Sequence, residues 1–170
     1  MNTFVYVCAL LSFIALAGFI AVGIRTFGLQ QSYSYYAHLW GEKVKIHNVN
    51  LWSAITVIAA FLLTPALIGK LEGNALQFLG FLVPIYLCVV AFTPNYLTDK
   101  KQKIVHIVAT SLCAAGFIAY VIFGLHVWRP LVFSLLAFAF IGFASKSLRT
   151  SAILWLECTL LFTAYYLVLV

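Results

Sequence analysis

The sequence predicts an all-α protein, a single polytopic bundle of transmembrane helices, and three observations support this prediction. Apolar residues make up 65% of the 170 residues, charged residues make up only 8%, and the mean hydropathy is +1.08. The apolar residues lie in long runs that short polar segments separate. Such values lie outside the range of soluble domains and are typical of a multi-pass membrane protein. The chain has room for about six spans of roughly 20 residues and for no separate soluble domain.

The apolar runs define six predicted spans within one transmembrane domain, residues 1–170. The first run has no Lys or Arg before it and Arg25 directly after it, the reverse of a signal peptide, so we expect it to remain as a span. The fifth run is short for a hydrocarbon core about 30 Å thick. The six predicted spans are residues 3–24, 51–69, 76–94, 104–125, 128–144 and 152–170.

The distribution of basic residues predicts the orientation of the bundle. Cytoplasmic connections carry an excess of Lys and Arg, and eight of these residues fall in the odd-numbered connections against two in the even-numbered ones. This bias places both termini outside and predicts a multi-pass protein of the inner membrane. The eight are Arg25, Lys43, Lys45, Lys100, Lys101, Lys103, Lys146 and Arg149; the two are Lys70 and Arg129.

Residues 25–50 form the longest polar connection and are predicted to be a cytoplasmic loop that rims the membrane interior. Its hydroxyl groups at Ser32 and Ser34 are of the kind that bind a phosphate. Its aromatic residues are expected at headgroup level, where tyrosine and tryptophan are enriched. They are Tyr33, Tyr35, Tyr36 and Trp40.

Glu157 is the most informative side chain, because a carboxylate within a span costs a few kcal/mol and must find a partner or face water. At about 1.5 Å of rise per residue, Glu157 lies roughly 9 Å from the cytoplasmic end of its span. His106 lies at a similar depth in the fourth span, and Asp99 borders the entrance to that span. The polar residues are thus predicted to converge on the cytoplasmic half of the bundle.

These residues predict a protein without enzymatic activity that binds a lipid headgroup or a small polar solute in a cavity facing the cytoplasm. The simpler interpretation is that the polar side chains only lock helices together. The predicted partner is a membrane lipid or a small molecule, self-association is left open, and no cofactor or metal is expected. The predicted binding residues are Glu157, His106, Asp99, Ser32, Ser34, Tyr35, Tyr36 and Asn50.

Two other function classes remain open, and one is set aside. A membrane-embedded hydrolase is one alternative, with a metal held by His38, His47, His106 and Asp99, although their spacing matches no ligand signature. A structural or regulatory subunit, or a small transporter, is the other. The net charge of +6 does not indicate nucleic-acid binding, because the basic residues border apolar runs and form no long basic tract.

Two short motifs carry a resemblance to a known family. The segment Gln31-Ser-Tyr-Ser-Tyr-Tyr36 follows the first run, and Phe92-Thr-Pro-Asn leads to Asp99 and His106. In this the chain resembles small bacterial six-span membrane proteins of unknown function, and it is distantly similar to DRAM-like proteins. The resemblance implies a six-span fold without enzymatic activity, and it singles out Ser32, Tyr35, Tyr36, Asp99 and His106.

Overall fold

The computed structural model describes residues 3–44, 51–144 and 151–170, and every regular element within them is a helix. The predicted all-α class is therefore confirmed. One π-helical turn, Tyr120–Gly124, continues the fifth helix. The helices are α1 (Thr3–Phe27), α2 (Tyr33–Val44), α3 (Leu51–Lys70), α4 (Leu79–Ala91), α5 (Lys100–Ala119), α6 (Arg129–Ala144) and α7 (Ala152–Leu169).

Within the described residues, four helices are long and apolar enough to cross a membrane, namely α1, α3, α5 with its π-helical turn, and α7. Their outer faces carry large exposed apolar side chains, such as Phe4 on α1 and Phe61 on α3, which are about 70% exposed (71% and 69%). In water such faces would be unfavourable, whereas in hydrocarbon they need no cover. The four helices therefore have the composition and surface of membrane-spanning segments.

The predicted third span, residues 76–94, is helical only over the 13 residues of α4. Before it, the chain makes a series of turns, in which the Asn74 side chain accepts a hydrogen bond from the Leu76 amide at 2.8 Å. After it, Thr93 precedes Pro94, and a residue before proline is disfavoured in a helix. Local polar groups and proline thus shorten α4 to an apolar helix below the usual length of a span.

The connection predicted as a loop over residues 25–50 contains the helix α2. Ser32 caps its N-terminus, since the Ser32 hydroxyl accepts a hydrogen bond from the Tyr35 amide at 3.2 Å. Tyr36 and Ala37 are fully buried against the rest of the bundle. The sequence contains the signal for this helix, because residues 33, 36, 37 and 40 have the spacing of one apolar helix face.

The helices pack around α3, which contacts α1 on one side and α4 on the other, while α5 packs on α4 and α6 packs on α7. Glycine allows the closest approach, since a Cβ at Gly80 of α4 would lie 2.8 Å from the backbone of Leu67 in α3. A Cβ at Gly23 of α1 would likewise lie 2.9 Å from the ring of Tyr36. The first contact holds α4 against α3, and the second holds α2 against α1.

Candidate functional site

The Glu157 carboxyl group of α7 contacts the N-terminus of α2. Its Oε2 accepts a hydrogen bond from the backbone N–H of Tyr33 at 2.6 Å, across 124 residues of sequence. The first N–H groups of a helix have no partner within the helix and carry a partial positive charge, so this is a favourable place for a carboxylate. The bond satisfies a backbone donor of α2 and fixes the position of α2 relative to α7.

His106 of α5 is buried and has polar partners on both ring nitrogens. Its Nδ1 lies 2.8 Å from the Thr93 hydroxyl, and that hydroxyl donates to the Val90 carbonyl at 2.7 Å. Because a hydroxyl has a single proton, Nδ1–H must donate to Thr93, which leaves Nε2 as an acceptor. The ring also stacks on Tyr96, with centroids 4.0 Å apart. These contacts fix both the orientation and the tautomer of the imidazole.

Ser34, in the first turn of α2, joins the two side chains into one arrangement. Its hydroxyl lies 3.2 Å from Nε2 of His106, and therefore donates to that nitrogen. Glu157 binds the preceding residue, Tyr33, so the start of α2 lies between α7 and α5. We call Glu157, Tyr33, Ser34, His106 and Thr93 the Glu157 cluster. The predicted convergence of Glu157 and His106 is thus mediated by α2.

Tyr33 contributes its side chain as well as its amide. Its hydroxyl lies 2.9 Å from the hydroxyl of Thr56 on α3, and its ring packs edge-on against Phe19 with centroids 5.7 Å apart. Burial raises the pKa of Tyr33 above its ordinary value, and the hydrogen bond with Thr56 opposes this shift only in part. The phenol is therefore neutral at physiological pH and acts as a hydrogen-bonding group.

A cavity of ≈ 140 Å³ extends from the Glu157 cluster into the bundle. Its wall is mostly apolar and is formed by side chains of α1, α2, α3, α4, α5 and α7. Polar side chains occur in this wall at Tyr33, Ser34, Thr110 and Glu157. The arrangement is a narrow hydrocarbon-like chamber with polar groups, as is usual for a binding site for an apolar molecule. Apolar wall residues include Leu16, Leu63, Val83, Phe117, Leu161 and Ala164.

The remaining predicted binding residues lie outside the cavity wall. Asp99 is exposed and caps α5, accepting hydrogen bonds from the amides of Lys101 at 2.7 Å and Gln102 at 3.2 Å. The Tyr36 hydroxyl donates to the Gly28 carbonyl at 2.9 Å and thereby holds the turn between α1 and α2. These contacts account for both residues through local structure.

Three further predicted residues also lie apart from the cavity wall or cannot be placed. The Ser32 hydroxyl lies 3.2 Å from that of Ser34, so it touches the Glu157 cluster from outside. The half-buried Tyr35 packs edge-on against His38. Asn50 lies outside the described residues.

Of the four residues of the metal hypothesis, the three that the structure describes have separate partners. His38 pairs with Glu42 at 3.3 Å, and His106 is engaged by Thr93 and Ser34. His47 lies outside the described residues. Within those residues, no group of three or more His, Cys, Asp or Glu side chains is arranged to hold a metal ion.

The prediction did not include Tyr33, Thr93 and Thr110 among the binding residues. Tyr33 enters the cluster through a backbone amide, which no side-chain pattern reveals. Thr110 follows His106 by four residues on α5 and so lies on the same helix face, about 6 Å further along the axis. Once His106 is taken as a site residue, this spacing of four residues predicts that Thr110 lies near the same site.

Comparisons with protein-family models, with curated proteins and with solved structures find no match to this chain. Proposals about its function rest on the geometry of the Glu157 cluster and of the cavity.

Proposed function

We propose that the protein binds a membrane lipid inside its helix bundle, with the polar end of the lipid at the Glu157 cluster and its apolar chain along the cavity. The observation that carries the proposal is the combination of one carboxyl group with a wall that is otherwise almost entirely apolar. Each buried CH₂ group of a chain gains about 0.8 kcal/mol, so a narrow apolar chamber favours a hydrocarbon chain.

The same lining favours a lipid over a small polar solute. A polar solute would have to give up its hydration against side chains such as Leu63, Val83 and Phe117, which offer no hydrogen bonds. Hydrogen-bonding side chains are few in this wall, namely Tyr33, Ser34, Thr110 and Glu157. The polar part of the ligand is therefore small relative to its apolar part.

The site has a defined place in the membrane if the six apolar runs are six spans. We propose a multi-pass protein of the inner membrane with both termini outside, following the excess of basic residues in the odd-numbered connections. The Glu157 cluster then lies in the cytoplasmic half of the bilayer. A lipid would reach it from the surrounding membrane, and its binding needs no soluble partner.

Filling the cavity tests the proposal. Ala114 lines the cavity, whereas the adjacent Ala115 on the same helix is exposed. We expect Ala114→Phe to abolish lipid co-purification, measured by extraction and mass spectrometry, while Ala115→Phe retains the lipid. A lipid retained equally by both variants, or absent from the purified wild-type protein, would contradict the proposal.

A second candidate function, acyl transfer, is favoured by the contact between Ser34 and His106. The tautomer that Thr93 imposes leaves Nε2 as an acceptor for the Ser34 proton, which is the arrangement a serine nucleophile and its base require. Ser34 also lines the cavity. Its Oγ would bond to the acyl carbon of a lipid ester, with its proton passing by way of His106 to the leaving alcohol. Water would then hydrolyse the acyl-enzyme and regenerate Ser34.

A fluorophosphonate probe with an alkyl chain tests this second candidate. We expect the probe to label Ser34 in the wild-type protein, to label it far more slowly in His106→Gln, and to label it at the wild-type rate in Ser111→Ala, which removes an exposed hydroxyl from α5. Peptide mass spectrometry locates the adduct. If Ser34 stays unlabelled after prolonged exposure, or if His106→Gln reacts as fast as wild type, acyl transfer is excluded and Ser34 serves only to hold α2.

A further inference from the structure

Two polar side chains in the cavity wall could bind the polar end of a ligand. Oε2 of Glu157 accepts a hydrogen bond from the Tyr33 amide. The Thr110 hydroxyl oxygen is buried and has no partner within the described part of the chain. Both side chains line the same cavity.

Unpartnered groups of this kind are unusual inside a protein. Most buried polar atoms have a partner, because an unmade hydrogen bond in a medium of low dielectric is costly. The Thr110 hydroxyl is such an atom, and it shares an apolar cavity with the Glu157 carboxyl group. The two side chains therefore indicate where the polar group of a ligand could bind.

The charge of the wall restricts the chemistry of that group. Glu157 is the only acidic residue among the described residues that line the cavity, and none of them is Lys or Arg. A phosphate or carboxylate at this place would face Glu157 without a compensating cation. A group that donates hydrogen bonds fits instead, and a cation fits best, because it both donates and neutralises the carboxylate.

The size of the cavity restricts the rest of the ligand. The ≈ 140 Å³ is close to the volume of an engineered apolar cavity of ~150 Å³ that binds one benzene molecule. The cavity therefore has room for part of one hydrocarbon chain. The ligand is then an amphiphile that places a single chain in the cavity.

We propose that the cavity selects a lipid whose polar end is a primary amine, bound through the Glu157 carboxylate and the Thr110 hydroxyl. This inference rests on the proposed lipid-binding function and names its ligand class. An ammonium group has three donors and no acceptor, so it can donate to the Glu157 carboxylate and to the unpartnered Thr110 hydroxyl, and it leaves one donor for water or for a hydroxyl nearby. Two sources share this chemistry: a single-chain amine and an aminophospholipid with one of its chains inserted.

Matched probes test the inference on the purified full-length protein in neutral detergent. Dodecylamine, dodecanol and dodecanoate share one chain length and differ only at the polar end. We expect dodecylamine to bind at least tenfold more tightly than dodecanol, and dodecanoate to bind most weakly. Non-specific attraction works in the opposite direction, because the net charge of +6 repels an amine and attracts a carboxylate. A preference for the amine therefore reports a specific site.

Two variants assign the preference to the carboxyl group. We expect Glu157→Gln to bind the amine and the alcohol within about threefold of one another, because the amide has no charge. Glu72→Gln, which changes an exposed glutamate in the turn before α4, should retain the wild-type preference. Thr110→Val, with Glu157 intact, should weaken amine binding by a smaller factor, and it provides a second variant if Glu157→Gln does not fold.

The outcomes separate the two proposals. Binding of all three probes with equal affinity, or a preference for the amine that persists in Glu157→Gln, would overturn the inference and leave lipid binding intact. Binding of none of them would overturn both. An added aminophospholipid that displaces dodecylamine identifies the two-chain source, whereas an aminophospholipid without effect identifies the single-chain amine.

Discussion

Two buried polar clusters among the described residues differ in how far protein groups satisfy the hydrogen bonds around them. In the first, the Ser12 cluster, the Ser12 hydroxyl of α1 donates to the Ala59 carbonyl of α3 at 2.6 Å. The Tyr165 hydroxyl of α7 contacts the same Ser12 oxygen and must therefore donate to it. Three helices are joined, and both hydroxyl protons are used.

The Glu157 cluster also joins helices, but it borders a cavity in which one hydroxyl has no partner. The Tyr33 amide binds one oxygen of Glu157, while the buried Thr110 hydroxyl in the same cavity wall has no partner among the described residues. A polar group in a membrane bundle is costly unless it is satisfied. The Ser12 cluster is satisfied by protein groups alone, whereas we propose that a ligand completes the hydrogen bonds beside the Glu157 cluster.

The largest expected effect on stability is in the Ser12 cluster. Ser12→Ala leaves the buried Tyr165 hydroxyl without its acceptor, so we expect the free energy of unfolding to fall by about 1–3 kcal/mol. Lipid binding should be unchanged. Ser111→Ala, which removes an exposed hydroxyl from α5, is the control and should change stability by less than about 0.5 kcal/mol. Denaturation in detergent measures the free energy of unfolding of both variants. A Ser12→Ala protein as stable as Ser111→Ala would contradict the claim that the Ser12 cluster stabilises the fold.

A smaller effect, with the opposite sign, is expected at the open acceptor on α5. Thr110→Val removes a buried hydroxyl that has no partner within the described residues, so the ligand-free protein should gain up to about 1 kcal/mol in stability. The matched variant Thr64→Val removes a hydroxyl that donates to the Ala60 carbonyl at 2.7 Å, and it should lose stability. The stabilities are compared after delipidation. A loss at Thr110 as large as that at Thr64 would mean that the Thr110 hydroxyl is already satisfied.

The smallest effect concerns the pH dependence contributed by Tyr33. Because its pKa is raised in the folded protein, the folded state retains the phenolic proton at a pH where the unfolded state releases it. The contribution to stability is full below pH ~10 and declines as the pH rises above that value. At roughly pH 10.5, ionisation of Tyr33 in the unfolded state should lower the free energy of unfolding of the wild-type protein by somewhat under 1 kcal/mol relative to neutral pH.

A comparison with Tyr33→Phe isolates that contribution. The variant loses the hydrogen bond with Thr56 at every pH, but it has no phenol to ionise. Its deficit in stability relative to wild type should therefore narrow between pH 9 and pH 10.5. Chemical denaturation at several pH values measures the deficit. A deficit that stays constant across this range would show that Tyr33 is not shielded from water.

Much of the fold is predictable from the sequence, because hydropathy depends on the residues of each run alone. The helices α1, α3 and α7 end within about three residues of the predicted runs. The helix α2 was missed because its polar composition hides the apolar face formed by Tyr33, Tyr36 and its neighbours. The composition of a segment does not reveal an apolar helix face, whereas the spacing of its apolar residues does.

The candidate site is predictable only in part. Glu157 and His106 stand out as ionisable residues in apolar runs, and both belong to the Glu157 cluster. Their link through α2 depends on a backbone amide 124 residues away from Glu157, which no local pattern encodes. Asp99 was chosen for its charge, but a carboxylate directly before a helix commonly caps that helix.

Photocrosslinking with a dodecylamine that carries a diazirine in its chain tests most directly whether the lipid lies inside the bundle. Two residues of α3 make the contrast: Leu63 is buried and lines the cavity, whereas Phe61 is 69% exposed on the outer face. We expect saturable crosslinks to peptides at Leu63 and Ala164, which unlabelled dodecylamine displaces and Ala114→Phe abolishes. Crosslinks confined to outward-facing positions such as Phe61, and unaffected by Ala114→Phe, would contradict the account.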